Sequence, residues 1–388
     1  MSGIGKKLPA GWGWKRLGDI CIEDKVIIDG RNSTLPFIGM EMIKSGTGEI
    51  DLEAQTMPGV STCYYFDERH ILYGKLRPYL NKVALPNFSG RCSTELVPLF
   101  PINGNCRGFL AYLLRRNETI EYIMKEKTGS RMPRANMKYL LSMKIPVPPI
   151  EEQERIVKII ETKLTAIEQA RRASDEQKKI IIDFLSSFIQ NLIYNKDWKK
   201  YNFGDICLFT GGSQPPKSTF AYQPKKDYIR LVQIQDFRKD DTAVYIPKET
   251  ARKTFTKDNV MIGRYGPPVF QILRGLDGAY NVALIKAEPL DNNVLDNNFL
   301  FYLLQEKKLQ NAVINQSQRS AGQSGVDKLF LEKQIVNIPD INTQKSIVKK
   351  INIYKQKSII LQSYINEQSQ FINALPSAIL RKVLNGDY

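Results

Sequence analysis

Histidine is almost missing from this 388-residue chain, which has His70 alone. Any nucleophile–histidine machine would have to be built on that residue. Its setting, Asp67-Glu68-Arg69-His70-Ile71-Leu72, reads as the start of a strand, so His70 is expected to be an ordinary surface or strand-edge residue. Cysteine is scarce as well. Cys21, Cys63, Cys92, Cys106 and Cys207 are odd in number and show no CxxC or CxH spacing, which speaks against a disulfide framework and a zinc site. No apolar run approaches the ~20 residues that span a bilayer. The first residues carry no apolar stretch of a secretory signal, so a cytoplasmic location is expected. The GxxxxGK[ST] phosphate loop is absent, and Gly211-Gly212-Ser213 lacks the third glycine of a dinucleotide fingerprint. Gly266-Pro267-Pro268-Val269 lacks the polar lead residue and closing aromatic of an adenine-methyltransferase tetrad. No catalytic residue, metal or cofactor site is predicted, and any chemistry belongs to a partner.

Negative charge is also in short supply, with 40 Asp and Glu against 56 Lys and Arg, a net +16. Such a surplus points to a polyanionic partner, most often nucleic acid. It is not spread evenly. Residues 1–149 carry +7 and residues 196–338 carry +6, whereas 150–195 carry −1 and 339–388 carry +4.

The chain repeats itself. Pro148, Ile150, Gln153, Ile156, Val157 and Lys158 recur 191 residues later as Pro339, Ile341, Gln344, Ile347, Val348 and Lys349. The same offset sets Ile160 opposite Ile351, Asn136 opposite Asp327 and Leu140 opposite Leu331. With small gaps, Trp14-Lys15 answers Trp198-Lys199, and residues 109–114 answer 299–304. The order is variable segment, helix, variable segment, helix.

Residues 150–194 contain neither proline nor glycine, and Ile160, Leu164, Ile167, Ile181, Leu185 and Phe188 keep the 4,3 spacing of a coiled-coil seam. Arg171, Ser174 and Lys178 make the middle of that seam polar. In the second helix the stripe is read as Ile351, Tyr354, Ser358, Leu361, Ile365, Gln368, Ile372, Leu375 and Ile379, with a kink or new turn at Pro376. About 40 helical residues span roughly 60 Å, enough for a spacer.

Three loop segments combine glycine with cations, hydroxyls or amides that could meet phosphates and base edges. The first holds Lys75, Arg77, Tyr79 and Lys82, with a looser echo in Arg264, Tyr265 and Arg274. The second holds Ser130, Arg131 and Arg134, answered by Arg319 and Gln323. The third, without a counterpart, holds Ser213, Gln214 and Lys217.

The order of segments, with the motif Ile145-Pro146-Val147-Pro148-Pro149-Ile150-Glu151-Glu152-Gln153-Glu154-Arg155-Ile156-Val157, resembles the DNA specificity subunit of type I restriction-modification systems over nearly the whole chain. The second copy departs from the motif, with Asp340, Asn342 and Thr343 where the first has Pro149, Glu151 and Glu152, which bears on the equivalence of the two partner-binding surfaces. The resemblance implies a mixed α/β fold with an internal pseudo-twofold repeat. Two target-recognition domains, 1–149 and 196–338, would be separated by a pair of long antiparallel coiled-coil helices, 150–195 and 339–388. It implies a non-catalytic DNA-binding subunit that reads a gapped, two-part site. Two methylation subunits would bring S-adenosylmethionine and methylate adenine N6; motor-nuclease subunits would bring ATP and Mg. Rival readings are a coiled-coil scaffold carrying two protein-binding modules, and a specificity subunit of a related, non-type-I restriction system.

Overall fold

A computed structural model describes residues 8–31, 33–53, 62–129, 131–239, 242–319 and 325–387. It is a mixed fold of two compact units, one made of residues 1–175 with 366–388 and the other of 176–365. Each unit takes part of both long helices, Ile150–Ile193 and Ile341–Val383.

The first unit holds two four-stranded sheets. One is antiparallel, in the order Cys21–Glu23, Leu96–Pro101, Ile71–Gly74, Val83–Ala84. The other runs Ile27–Asp29, Thr62–Phe66, Gly90–Ser93, Phe37–Ile38, with its last pair parallel. The second unit repeats this plan. Its antiparallel sheet is Cys207–Gly211, Leu284–Pro289, Val260–Gly263, Gln271–Leu273, and its other sheet is Val244–Pro247, Tyr228–Val232, Gly278–Tyr280, Thr254–Phe255. Here too one pair, Tyr228–Val232 with Gly278–Tyr280, is parallel. A two-stranded ribbon closes each module, Gly13–Arg16 with Lys144–Val147 and Lys199–Asn202 with Ile335–Ile338. Asn136 and Asp327, matched by the 191-residue offset, both cap short helices by accepting backbone N–H groups.

The long helices begin inside the modules. Ile156 and Ile160 belong to the first core, and Ile347 and Ile351 to the second. Gln153, 1% exposed, accepts from Cys106 N–H (2.8 Å) and donates to Asn105 Oδ1 and Pro148 O (both 3.0 Å). Gln344 does the same with Asp296 N–H (2.8 Å), Val294 O (2.8 Å) and Pro339 O (2.9 Å). The departure at Asp340 is a change of helix start. Its carboxylate accepts from Asn342 and Thr343 N–H and from the Thr343 hydroxyl, which lowers its pKa.

Within each unit the two helices run antiparallel. In the first, Ser174 Oγ lies 2.8 Å from Ser369 Oγ, while Ile160 shares its core with Leu380, Val383 and Leu384. In the second, the Phe188 ring lies 4.3 Å from that of Tyr354, and Ile193 packs with Ile347, Val348 and Ile351. Ile160 and Ile167 are buried, and Leu164, Ile181, Leu185 and Phe188 half-buried, along one stripe. The second helix departs from expectation. Ile351, Ser358, Ile365 and Ile372 are buried, but the alternate positions are Lys355, Gln362, Ser369 and Pro376, all half-buried, whereas Leu361 is 50% exposed. The alternate seam positions lie one residue further along, the others fall where expected, and the helix continues through Pro376.

His70 is the other correction. It precedes the strand Ile71–Gly74 as expected, yet it is 2% exposed, with its ring nitrogens 2.9 Å from Asp67 and 3.1 Å from Asp24 and an edge contact to Phe100. Its place in the turn is taken in the second module by Asn259, which accepts from Thr256 N–H as His70 Nδ1 does from Asp67 N–H. All five cysteines are free thiols, and burial pushes Cys21 up to about 12. Among the described residues, no helix is long and apolar enough to cross a membrane.

Candidate nucleic-acid interface

In the first module the strands Ile71–Gly74 and Val83–Ala84 form a hairpin, and the connection between them carries Lys75, Arg77, Tyr79 and Lys82. A 3₁₀ turn, Pro78–Leu80, is flanked by Arg77 and Asn81 at φ 51° and 50°, a left-handed conformation that few side chains adopt cheaply. The second candidate segment is bound to this connection. Arg77 N–H donates to Pro133 O (2.7 Å), Ala135 N–H to Lys75 O (2.8 Å), and Leu76 bridges Arg134. The fold thus brings residues 75–82 and 131–134 together.

Their side chains differ in what they have left to offer. Arg77, Tyr79 and Arg131 are exposed, and Lys75 is half-buried. Arg134 is exposed but forks onto Glu95 at 3.0–3.3 Å, which raises its pKa. Lys82 turns inward and donates to Met40 O (2.6 Å). Ser130 lies outside the described residues. Glu95, the partner of Arg134, was not anticipated, since nothing local marks a pair 39 residues apart.

The second module builds the same junction. Arg264 N–H donates to Ala283 O (2.8 Å), and Val326 N–H donates back to Arg264 O (2.9 Å). A Cβ on Gly325 would come within 2.6 Å of the Tyr265 ring, so the glycine there is required by close packing. The guanidinium of Arg264 sits 5.1 Å from the centre of the Tyr265 ring. Arg319 ends the helix Lys307–Arg319, and Gln323 lies outside the described residues. The third segment is tied to the end of the strand Gly278–Tyr280. Ser213 N–H donates to Tyr280 O (3.1 Å), with Ser213 half-buried and Gln214 and Lys217 exposed.

Arg274 does not join them. Its guanidinium donates to Asp258 O (3.1 Å), Asn298 Oδ1 (2.9 Å) and Asn297 O (3.2 Å) and lies over Phe301, with burial lowering its pKa. It is a clamp within the chain, because three acceptors and an aromatic face already satisfy it.

Comparison with known proteins follows the repeat. The family model described as "Type I restriction modification DNA specificity domain" matches residues 9–177 and again 195–368. The EcoDI specificity subunit of Escherichia coli is 29% identical over 160 residues, covering 40% of this chain and 35% of the relative. The EcoKI specificity subunit of Escherichia coli strain K12 is 20% identical over 307 residues, 72% of this chain and 65% of the relative. The chain thus spans about one third and just under two thirds of the lengths of these two relatives. Two solved structures share the fold. A chain from work on complex assembly and conformational transition of the type I R-M system superposes with a TM-score of 0.75 at 21% identity, covering 99% of this chain and 100% of its own. The HsdS subunit from Thermoanaerobacter tengcongensis does so with 0.68 at 22% identity, covering 100% of both.

Proposed function

The chain belongs to the type I restriction-modification DNA specificity family, and on that premise we propose that it selects the DNA site, each module reading one half of a gapped, two-part sequence. The observation that carries this reading is the junction built twice: residues 75–82 against 131–134, and Arg264–Tyr265 against Gly325–Val326. Both sit in modules of strong positive charge, +7 and +6. Exposed Arg77 and Arg131, and Lys217 in the second module, are suited to phosphates, whose neutralisation releases counterions and makes binding fall steeply with salt. An arginine reaching the major groove can also fork onto guanine N7 and O6.

In this reading the chain has no catalysis of its own. Two methylation subunits bind it, supply S-adenosylmethionine and methylate adenine N6, and motor-nuclease subunits add ATP- and Mg-dependent cleavage. The helical residues between the modules set the gap, and the work is done in the cytoplasm.

The test is a base-resolution methylation map of DNA from cells expressing this chain with its neighbouring methyltransferase, against cells lacking this chain. A gapped, two-part N6-methyladenine motif that disappears without the chain is the expected result. Methylation unchanged by its removal, with the methyltransferase active, would refute the proposal. Shortening one long helix by a turn should alter the gap and leave both halves intact.

A further inference from the structure

We propose that a cleft in the second module, walled by Gln233, Gln235, Arg238, Tyr265, Gln271 and Asn281, receives a base edge of the half-site which that module reads. The inference rests on the DNA-reading role proposed above and names the side chains that specify. The cleft has a volume of about 300 Å³.

Its place follows from the parallel strand pair seen among the described residues of the module. Tyr228–Val232 and Gly278–Tyr280 run side by side, with Val232 opposite Tyr280, so their C-terminal ends open at one edge. Gln233 follows the first strand and Asn281 the second, and Asn281 N–H donates to Val232 O (3.3 Å). The hairpin Val260–Gly263 with Gln271–Leu273 adds Tyr265 and Gln271.

The polar groups are held in position. Arg238 donates to Gln271 Oε1 (2.5 Å), Gln271 Nε2 to Pro268 O (2.8 Å), and Gln235 Nε2 to Thr242 Oγ1 (3.1 Å). Beside them, Arg264 Nε is buried without a hydrogen-bond partner among the described residues. Carboxamides and a guanidinium are the side chains that match purine edges in the major groove, adenine N6/N7 and guanine N7/O6. Uncharged amides neutralise no phosphate, so they discriminate sequence without adding to salt dependence.

The first module has the same place with different contents. Phe37–Ile38 runs parallel to Gly90–Ser93 with Ile38 opposite Cys92, which puts Gly39 where the second module has Gln233 and Ser93 where it has Asn281. Lys82 faces Gly74 as Gln271 faces Gly263. Where Arg238 and Gln271 link turn to hairpin in one module, Lys82 reaches Met40 O in the other. A constant scaffold with exchanged side chains at one edge is what two different half-sites require.

The test uses the full chain with its methylation partner and compares methylation maps of Gln233→Ala, Gln235→Ala and Gln235→Glu with the parent. Each alanine variant should relax one or two adjacent positions of a single half-site by about tenfold or more. That half should be the one Arg264→Ala weakens. Gln235→Glu keeps the size but loses the donors, and is expected to change the preferred base. The salt dependence of duplex binding should stay at the parent's slope. Gln233 is half-buried and Gln235 exposed, and an unaltered melting temperature checks folding. The parent motif persisting in all three variants would overturn the cleft proposal while leaving the DNA-reading role standing. A parent chain that yields no two-part motif would refute that role, and the cleft with it.

Discussion

Replacing Gln153 with leucine keeps most of the side-chain volume and removes three hydrogen bonds at 2.8–3.0 Å from a site that is 1% exposed. Pro148 O loses its donor in a buried place, at a cost of about 1–3 kcal/mol, and the half-buried groups of Asn105 and Cys106 each lose about 1 kcal/mol net. The sum is about 3–5 kcal/mol, a large part of the ~5–15 kcal/mol that holds a typical domain together. In a unit of nearly 200 residues it should lower the melting temperature by roughly 6–20 °C. The effect should be local, because all three partners lie in the first unit. Urea unfolding of the full chain, followed by hydrogen exchange, separates the units. Trp12 packs on the first core and Trp198 on the second, so single-tryptophan variants report each transition. Gln344→Leu is expected to mirror the result in the second unit through Val294, Asp296 and Pro339. An unchanged midpoint for Gln153→Leu, or equal loosening of both units, would refute the assignment of these glutamines as clamps that seat each helix in its module.

Arg77→Gly should leave stability unchanged or raise it by up to about 1 kcal/mol, since relief of the left-handed backbone offsets the added freedom of glycine when unfolded. The same variant should weaken one half-site only, and a joint loss of both in binding assays would contradict modular reading. Arg274→Ala is expected to cost about 1–3 kcal/mol in denaturant unfolding through its lost clamp, with little change in the salt slope of DNA binding. Asp67 is held at about 2 by the hydrogen bond from Arg69. Its contribution is complete above about pH 4 and fades as pH falls toward 2. Because Arg69 is largely exposed, the amount is about 1 kcal/mol, and Asp67→Asn should flatten stability over that window in an acid titration.

The sequence made the architecture legible where the relevant physics is local. Proline, glycine and apolar spacing mark the helices, and the 191-residue offset locates the second ribbon's later strand, the cap and the helix start from the first. Gln153 and Gln344 stood out as a matched pair, but their role depends on Asn105 and Val294, about 50 residues away, and nothing nearby marks it. Alternate positions of the second seam differ from the reading by one residue because Leu361 and Leu375 are apolar, whereas the fold buries part of Gln362 and Ser369, the latter beside the polar Ser174. Charge counts located the basic modules. They could not tell Arg77, which is exposed, from Lys82 and Arg274, whose charges are used on carbonyls of their own chain. The burial of His70 was hidden for the same reason, since Asp24 lies 46 residues upstream.

The first unit is closed by residues 366–388, whose Leu380, Val383 and Leu384 lie in its core and whose Gly386 packs against Pro9. Translation reaches those residues about 190 positions after residue 175, with the whole of the second unit made in between. At about 5–20 residues per second, the growing chain carries the unfinished apolar seat of Ile160 for roughly 10–40 seconds. The second unit is made over the same interval, and its own core waits for Ile347, Val348 and Ile351, which come just before residues 366–388. The earlier half is therefore begun first and closed last, and its open apolar seat is the surface on which a chaperone would engage the emerging chain.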